Sequence, residues 1–184
     1  MGSLKNQILI SMPHMTDPYF LKSVIFVCEH NKEGAMGIII NKRFQKLELE
    51  ESFKNLSIGD EAISSLIDDI YFGGPVMIER GIILHSSEYQ TDGTVQISDD
   101  ISMSSQKTIL NELQNHSGIA YKLFLGHSGW TSGQLEREIE NGDWLMQSTT
   151  LDFIFNADPE QMWQQAAGSL GMNVGTTTGI GGQA

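Results

Sequence analysis

Ser128 is the first residue to test for chemistry. It sits in Gly126-His127-Ser128-Gly129-Trp130, between the apolar run AYKLFL and the helix-like LEREIE. The string nearly spells G-x-S-x-G, the strand-to-helix bend on which a hydrolase holds its nucleophilic serine. That bend needs glycine at its last position, because strand and helix approach closely there. Trp130 fills the position with an indole. Ser128 would also need a histidine and a carboxylate beside it. Thr131 and Gln134 have capping-box spacing, and Trp130 and Leu135 hold the flanking hydrophobic-staple positions. A strand, a glycine turn and a capped helix therefore account for these residues. Ser128 is expected to bond to backbone, and no catalytic residue is assigned.

Cys28 and His30 lie two apart on an expected strand, so they should share a face. They would form a Cys-His dyad or half a metal site, but a metal needs three or four ligands and none follow at standard spacing. A lone cysteine is more often a small buried apolar group. No metal and no cofactor are expected. Gly73-Gly74-Pro75 is a tight turn that is neither a P-loop nor a G-x-G-x-x-G. Its N–H groups could face an anion, although most such turns only solve a backbone problem. Asn41-Lys42-Arg43 follows an apolar run, and strand ends form the rim where ligands often bind. Glu136, Arg137, Glu138 and Glu140 read as a solvated helix face. Met12, Met15, Met36, Met77 and Met103 read as core gap fillers.

The elements that must position these groups follow from pattern. QILISM is a strand stopped by Pro13, and Pro18 marks a turn in MTDPYF. SVIFVCEH and AMGIIINK are strands joined by NKEG, expected to pair antiparallel. Ile38-Ile39-Ile40 is apolar on both faces, as in a strand covered on both sides. Leu47, Leu49, Phe53 and Leu56 suggest a short amphipathic helix. DDIYFGGPV, GIILHS, GTVQIS and GIAYKLFLG read as strands. SSQKTILNELQNH puts Ile109, Leu110 and Leu113 on one helical face, and a helix runs through Leu135 and Ile139. DWLMQS and LDFIF are strand candidates. Asp158-Pro159-Glu160-Gln161 opens a last helix, with Asp158 as N-cap and Pro159 at the first position. Its apolar face is Met162, Trp163, Ala166, Ala167 and Leu170, and Gly171 stops it. Together these give an α/β or α+β domain over residues 1–172, a mixed β-sheet flanked by helices in a layered sandwich, with a flexible Gly/Thr-rich tail at 173–184.

Composition narrows the partners. The chain of 184 residues carries a formal net charge of -12, with 23 acidic and 11 basic side chains. The acid is concentrated in residues 45–100, with twelve acidic against three basic residues. Duplex DNA repels such a surface, so direct DNA binding is disfavoured and only a local patch at Lys42 and Arg43 favours it. The single cysteine excludes an intramolecular disulfide and a Cys-rich zinc site. The N-terminus is too short in apolar residues for a signal peptide, and no segment is long enough to cross a bilayer. A cytoplasmic location is expected.

Three blocks in order carry a resemblance. They are ILISMPHMTDPYFLKSVIFVCEHNKEGAMGIIINK, then YFGGPV with RGIILHS, then LFLGHSGWTSGQLEREIENGDWL. Over about residues 4–171 the chain resembles the AlgH/YqgE family of bacterial proteins, often labelled transcriptional regulators. The resemblance implies a compact α/β domain in a bacterial cytosol and supplies no reaction. Asp17, Phe20, Ser23, Glu29, His30, Asn41, Lys42, Gly73, Gly74, Pro75, Trp130, Gln134, Leu135 and Glu136 match the family pattern. Of these, Asp17, Glu29, His30, Asn41, Lys42, Gly73, Gly74, Trp130, Gln134 and Glu136 are the candidate lining of a pocket or partner surface. The family turn usually reads G-Y-A-G-W, and His127 and Ser128 depart from it. A serine that the relatives lack does not fit a shared nucleophile.

Three functions follow in order of preference. The first is a non-enzymatic regulatory or interaction domain acting through an unidentified protein partner or small ligand, its effect on transcription indirect. The second is a small-molecule hydrolase or ligand-binding enzyme with a pocket near residues 126–136. The third is a nucleic-acid binder using the local basic patch. The sequence leaves the oligomeric state open.

Overall fold

The computed structural model describes residues 2–44 and 69–172. The expected helix over 47–56 and the tail at 173–184 lie outside the described residues. Nine strands form one mixed sheet in the order β6-β7-β5-β8-β3-β2-β1-β9, with β4 beside β8. They are β1 (Gln7–Ser11), β2 (Val24–Asn31), β3 (Gly34–Ile39), β4 (Ile70–Phe72), β5 (Val76–Ser86), β6 (Val95–Gln96), β7 (Ile101–Ser104), β8 (Tyr121–Thr131) and β9 (Trp144–Ser148). Every ladder is antiparallel except β4 with β8. Among the described residues the helices are α1 (Lys107–Asn115), α2 (Gln134–Glu140), α3 (Leu151–Asn156) and α4 (Pro159–Ser169). The architecture is α+β, and the sheet curls strongly into a half-barrel.

The apolar alternation of the strands explains the two covered faces. On one face Ile8, Ile10, Val24, Phe26, Ile38 and Phe124 pack against Ile154 of α3 and Met162, Trp163, Ala166 and Ala167 of α4. On the other, Leu9, Ile25, Val27 and Ile39 pack with Trp130, Trp144 and Leu135 of α2. Farther along that second face, Ile109, Leu110 and Leu113 of α1 cover Ile70, Ile83, Leu123 and Leu125. Ile38, Ile39 and Ile40 are fully buried, as a doubly covered strand requires.

β8 organises the sheet. Its first half pairs with β4 and β5, and its second half pairs with β3 through Gly37↔Ser128 and Gly34↔Thr131. The expected glycine turn after LFL is therefore strand throughout. The alternation of buried Ser128 and Trp130 with exposed Gly129 and Thr131 is the period-2 signal behind it. Gly126, at φ 73, is a kink inside the strand where the Gly73-Gly74-Pro75 turn crosses.

Other expectations need correction. LDFIF is α3, not a strand; the Thr150 hydroxyl accepts the Phe153 N–H at 3.1 Å and caps it. A five-residue apolar run suits either element until its cap is known. GTVQIS yields only the two residues of β6, and the strand beside it is β7 in DISMSS, a short polar segment without a clear strand pattern. The α2 cap also differs. Gly133 at φ 69 is the N-cap, and Gln134 Oε1 accepts both the Thr131 N–H (3.0 Å) and the Thr131 hydroxyl (3.2 Å). Only half of the capping box forms. The α4 start is as expected, with Asp158 Oδ1 accepting the Glu160 N–H at 3.1 Å, but Leu170 lies exposed beyond the buried face.

Candidate functional site

Ser128 is 1% exposed and its hydroxyl donates to the Gly73 carbonyl at 3.4 Å. The glycines around it answer a steric demand. A Cβ on Gly73 would lie 2.2 Å from the Gly126 oxygen, one on Gly74 2.2 Å from the His127 carbonyl, and one on Gly126 2.2 Å from the Gly74 oxygen. Two backbone segments cross in contact there, and only glycine permits it. The Gly-Gly-Pro turn is thus spent on packing, with the Gly73 N–H donated to Leu125 O at 2.8 Å.

Cys28 and His30 do not share a face. A β-bulge between Val27 and Glu29 shifts the register against β3. One extra residue reverses the alternation that follows. Cys28 packs with Phe26 on the α4 face, whereas His30 opposes Ala35 on the α2 face. Burial pushes the Cys28 thiol far up, so it is a buried apolar group without thiolate character.

His30 joins three segments. Its Nδ1 accepts the Leu4 N–H at 3.0 Å, which leaves the proton on Nε2, and Nε2 donates to Glu136 Oε1 at 2.9 Å. With its lone pair occupied, this imidazole has no acceptor left for a substrate proton. The Glu136 carboxyl is held below its ordinary range by its own backbone N–H and then by His30. Next to it, Glu138 is half-buried and accepts three donors: Trp130 Nε1 and Trp144 Nε1 on Oε2, both at 2.8 Å, and Gln134 Nε2 on Oε1 at 2.9 Å. Of the expected solvated face of α2, Arg137 and Glu140 are exposed, whereas Glu138 forms a polar lock between β8, α2 and β9.

The other family-pattern residues gather at the far end of the same face. Asn41 ties strand to loop, accepting the Val24 N–H and donating to Lys22 O, each at 2.9 Å. Lys42 donates to Tyr19 O at 2.6 Å, and burial lowers its pKa while Asp17 opposes the shift. Asp17 Oδ1 accepts the Tyr19 N–H at 2.8 Å. Tyr19 stacks on Phe72, and Phe20 meets Trp144 edge-on, with ring centroids 5.8 Å apart in each pair. Glu29 stands apart, exposed beside Asn31. Lys42 and Arg43 separate: Lys42 turns toward Tyr19, while Arg43 lies over Tyr71.

Two cavities and one network escaped the sequence reading, because each joins segments distant in the chain. A groove of about 560 Å³ is lined by Met36, Met77, Met103, Val95, Leu125 and His127, with Ser104 and Arg80 also on its wall. Met77 is exposed, at φ 47, so it is not the core filler expected. It extends an exposed apolar strip of Val76, Met77 and Ile78. His127 is held below its ordinary pKa by burial and then by Arg80. The second cavity, about 540 Å³, is lined by Arg43, Tyr71, Tyr121, Lys122, Phe155 and Asp158 among others.

Behind the groove, the buried His85 bonds Ser86 O through Nδ1 and Ser104 Oγ through Nε2, both at 2.9 Å. Ser104 Oγ also lies 3.0 Å from Thr94 Oγ1. A serine–histidine pair of this kind invites a catalytic reading. Ser104 is only 2% exposed, its hydroxyl is engaged on both sides, and a backbone carbonyl stands where a triad carboxylate would be. Among the described residues, no three His, Cys, Asp or Glu converge to hold a metal. No described helix is long and apolar enough to cross a membrane.

The family model described as AlgH-like matches residues 8–175. The UPF0301 protein of Thioalkalivibrio sulfidiphilus is 38% identical over 184 residues, covering 100% of this chain and 98% of that one. The UPF0301 protein of a Marinomonas species is 40% identical over 173 residues, covering 94% and 92%. The solution structure of AlgH from Pseudomonas aeruginosa superposes with a TM-score of 0.73 at 34% identity, covering 99% of this chain and 96% of that one. A crystal structure of a Corynebacterium diphtheriae protein shares the fold, with a TM-score of 0.68 at 21% identity.

Proposed function

The chain belongs to the AlgH-like family, and from that premise we propose that it is a non-enzymatic regulatory domain acting in the bacterial cytoplasm through a protein partner. The contact face is the methionine-lined groove with the strip Val76, Met77 and Ile78. One observation carries this reading: Met77, 48% exposed between the exposed Val76 and Ile78, lines the same groove as Met36 and Met103. Flexible thioethers fit partners of irregular shape, and contiguous exposed apolar surface marks a contact site. Ser128, Ser104, Cys28 and His30 are each committed to internal packing or bonds, which weighs against the hydrolase reading. The occupant is an apolar protein segment with basic flanks, because a chain of net charge -12 attracts cations and repels nucleic acid. Any effect on transcription is then indirect.

Photo-crosslinking in host cells tests this, with the probe amino acid at Met77 and a control probe at Leu170, which is exposed elsewhere. The reading expects a discrete adduct from Met77 only, lost when Ile78→Glu is added, whose mapped partner peptide is apolar with Lys or Arg flanks. Equal adducts from both positions, or a self-adduct of this chain, would overturn it.

A further inference from the structure

The cavity beside Tyr71 gathers two cations, Arg43 and Lys122, that form no ion pair among the described residues. Arg43, just past β3, sits with Cζ 5.6 Å from the Tyr71 ring centroid. Lys122 of β8 places Nζ 4.9 Å from the same centroid. Arg43, on the cavity lining, donates its Nε–H to the Tyr71 hydroxyl at 3.3 Å, its one side-chain hydrogen bond among the described residues. Lys122 spends one N–H on Ile154 O at 3.0 Å. Among the described residues neither cation has a carboxylate within the 4.0 Å of an ion pair. Asp69 acts on both cations through space, and Asp158, whose Oδ1 caps α4, acts in the same way on Arg43. Tyr121, Leu123, Phe155 and Pro159 supply the apolar part of a lining that also carries Asp69, Asn156 and Asp158.

We propose that this cavity binds a small molecule carrying a carboxylate or phosphate on an apolar or aromatic body, with the oxyanion between Arg43 and Lys122. Like charges held over one ring repel each other, Asp69 and Asp158 on the same lining offset this only through space, and a bound oxyanion would accept charge-assisted hydrogen bonds from both cations directly. The walls accommodate the ligand's body, and about 540 Å³ lies in the range of small-molecule sites. Burial first, then Arg43, lowers the Lys122 pKa to about 8, with Asp69 opposing. A bound anion should therefore restore the Lys122 proton above that pH. The groups facing Lys122 are Arg43, Asp69, Tyr121 and Asp158, and Tyr121 is itself pushed up by burial and then Asp69.

The experiment is an NMR titration of the full chain at constant ionic strength with phenyl phosphate, benzoate and inorganic phosphate. It follows backbone amides and the Lys122 side-chain carbon. The proposal expects saturable shifts confined to Tyr121, Lys122 and Ala157 with phenyl phosphate or benzoate, the tighter probe identifying the oxyanion. Affinity should fall about tenfold or more in Lys122→Met and in Arg43→Gln, the loss of one charge-assisted hydrogen bond, and recover in Lys122→Arg. The Lys122 titration should move to higher pH in the bound state. Shifts that do not saturate, that persist unchanged in both variants, or that map to other surface cations would overturn it.

Discussion

Glu138→Ala should be the most damaging single polar truncation on the α2 face. The carboxylate holds the indole N–H groups of Trp130 and Trp144 on one oxygen and the Gln134 amide on the other. Both tryptophans are buried and meet edge-on, ring centroids 6.2 Å apart. Truncation leaves two buried donors without an acceptor. A buried donor left unmade costs about 1–3 kcal/mol. Glu138 is half-exposed, so water can reach part of the vacancy, and about 2–4 kcal/mol in total is the expected loss. Glu138→Gln keeps one acceptor oxygen and should lose about half as much, because neutral acceptors are weaker. Urea unfolding followed by tryptophan fluorescence measures both, and the alanine variant should melt lower by about 4–16 °C for a domain of this size. If Glu138→Ala cost less than about 0.5 kcal/mol, as an ordinary surface change does, the three-donor lock would not exist. The solvated-face reading of α2 would then stand.

Gly74→Ala should cost about 3 kcal/mol or more or abolish folding, since its Cβ would meet backbone at 2.2 Å at φ 149; the midpoint of urea unfolding checks it. Cys28 should resist a thiol-reactive disulfide reagent in the native protein and react fully in denaturant, because burial suppresses the thiolate. Lys122 binds its proton more weakly folded than unfolded. Between about 8 and 10.5 the unfolded chain therefore holds more protons, and stability contributed at this site rises with pH. Relative to Lys122→Met, the native chain should gain about 1–2 kcal/mol across that window, a figure discounted for the partial exposure of the amine. A flat difference in denaturation midpoints from pH 7.5 to 10.5 would contradict the sign.

Much of the fold was legible because local pattern and tertiary role agree in it. Val24 to His30 and Ala35 to Ile40 read as paired strands, and they pair. Asp158-Pro159 read as a helix start, and it is one. The failures have local causes. A one-residue bulge at Cys28 leaves no composition signal yet moves His30 to the opposite face. The run LDFIF carries no periodicity that separates helix from strand, and the Thr150 cap decides between them. The site was less legible than the fold. The family-pattern polar residues mostly bond backbone or lock helices, as Asn41 and His30 do. Arg43 and Lys122 are 79 positions apart in sequence (122 − 43). Only the parallel pairing of β4 with β8 brings Tyr71 between them.

Residues 127 and 128 separate a demand of the fold from the contact face proposed for the groove. Ser128 is packed against the Gly73 carbonyl through one long bond of 3.4 Å, so the alanine usual in the family loses almost nothing there. His127 is different: it pairs with Val76 in register and its side chain forms part of the groove wall. Tyrosine at that point would narrow the groove beside Met77 without touching the glycine crossing. The double substitution His127→Tyr with Ser128→Ala should therefore fold with stability within about 1 kcal/mol of the native chain. It should nevertheless change the yield or identity of the adduct formed from Met77. An unfolded double variant would mean that the backbone crossing, not the groove, dictates residue 127. An unchanged adduct would mean that the partner does not reach this wall.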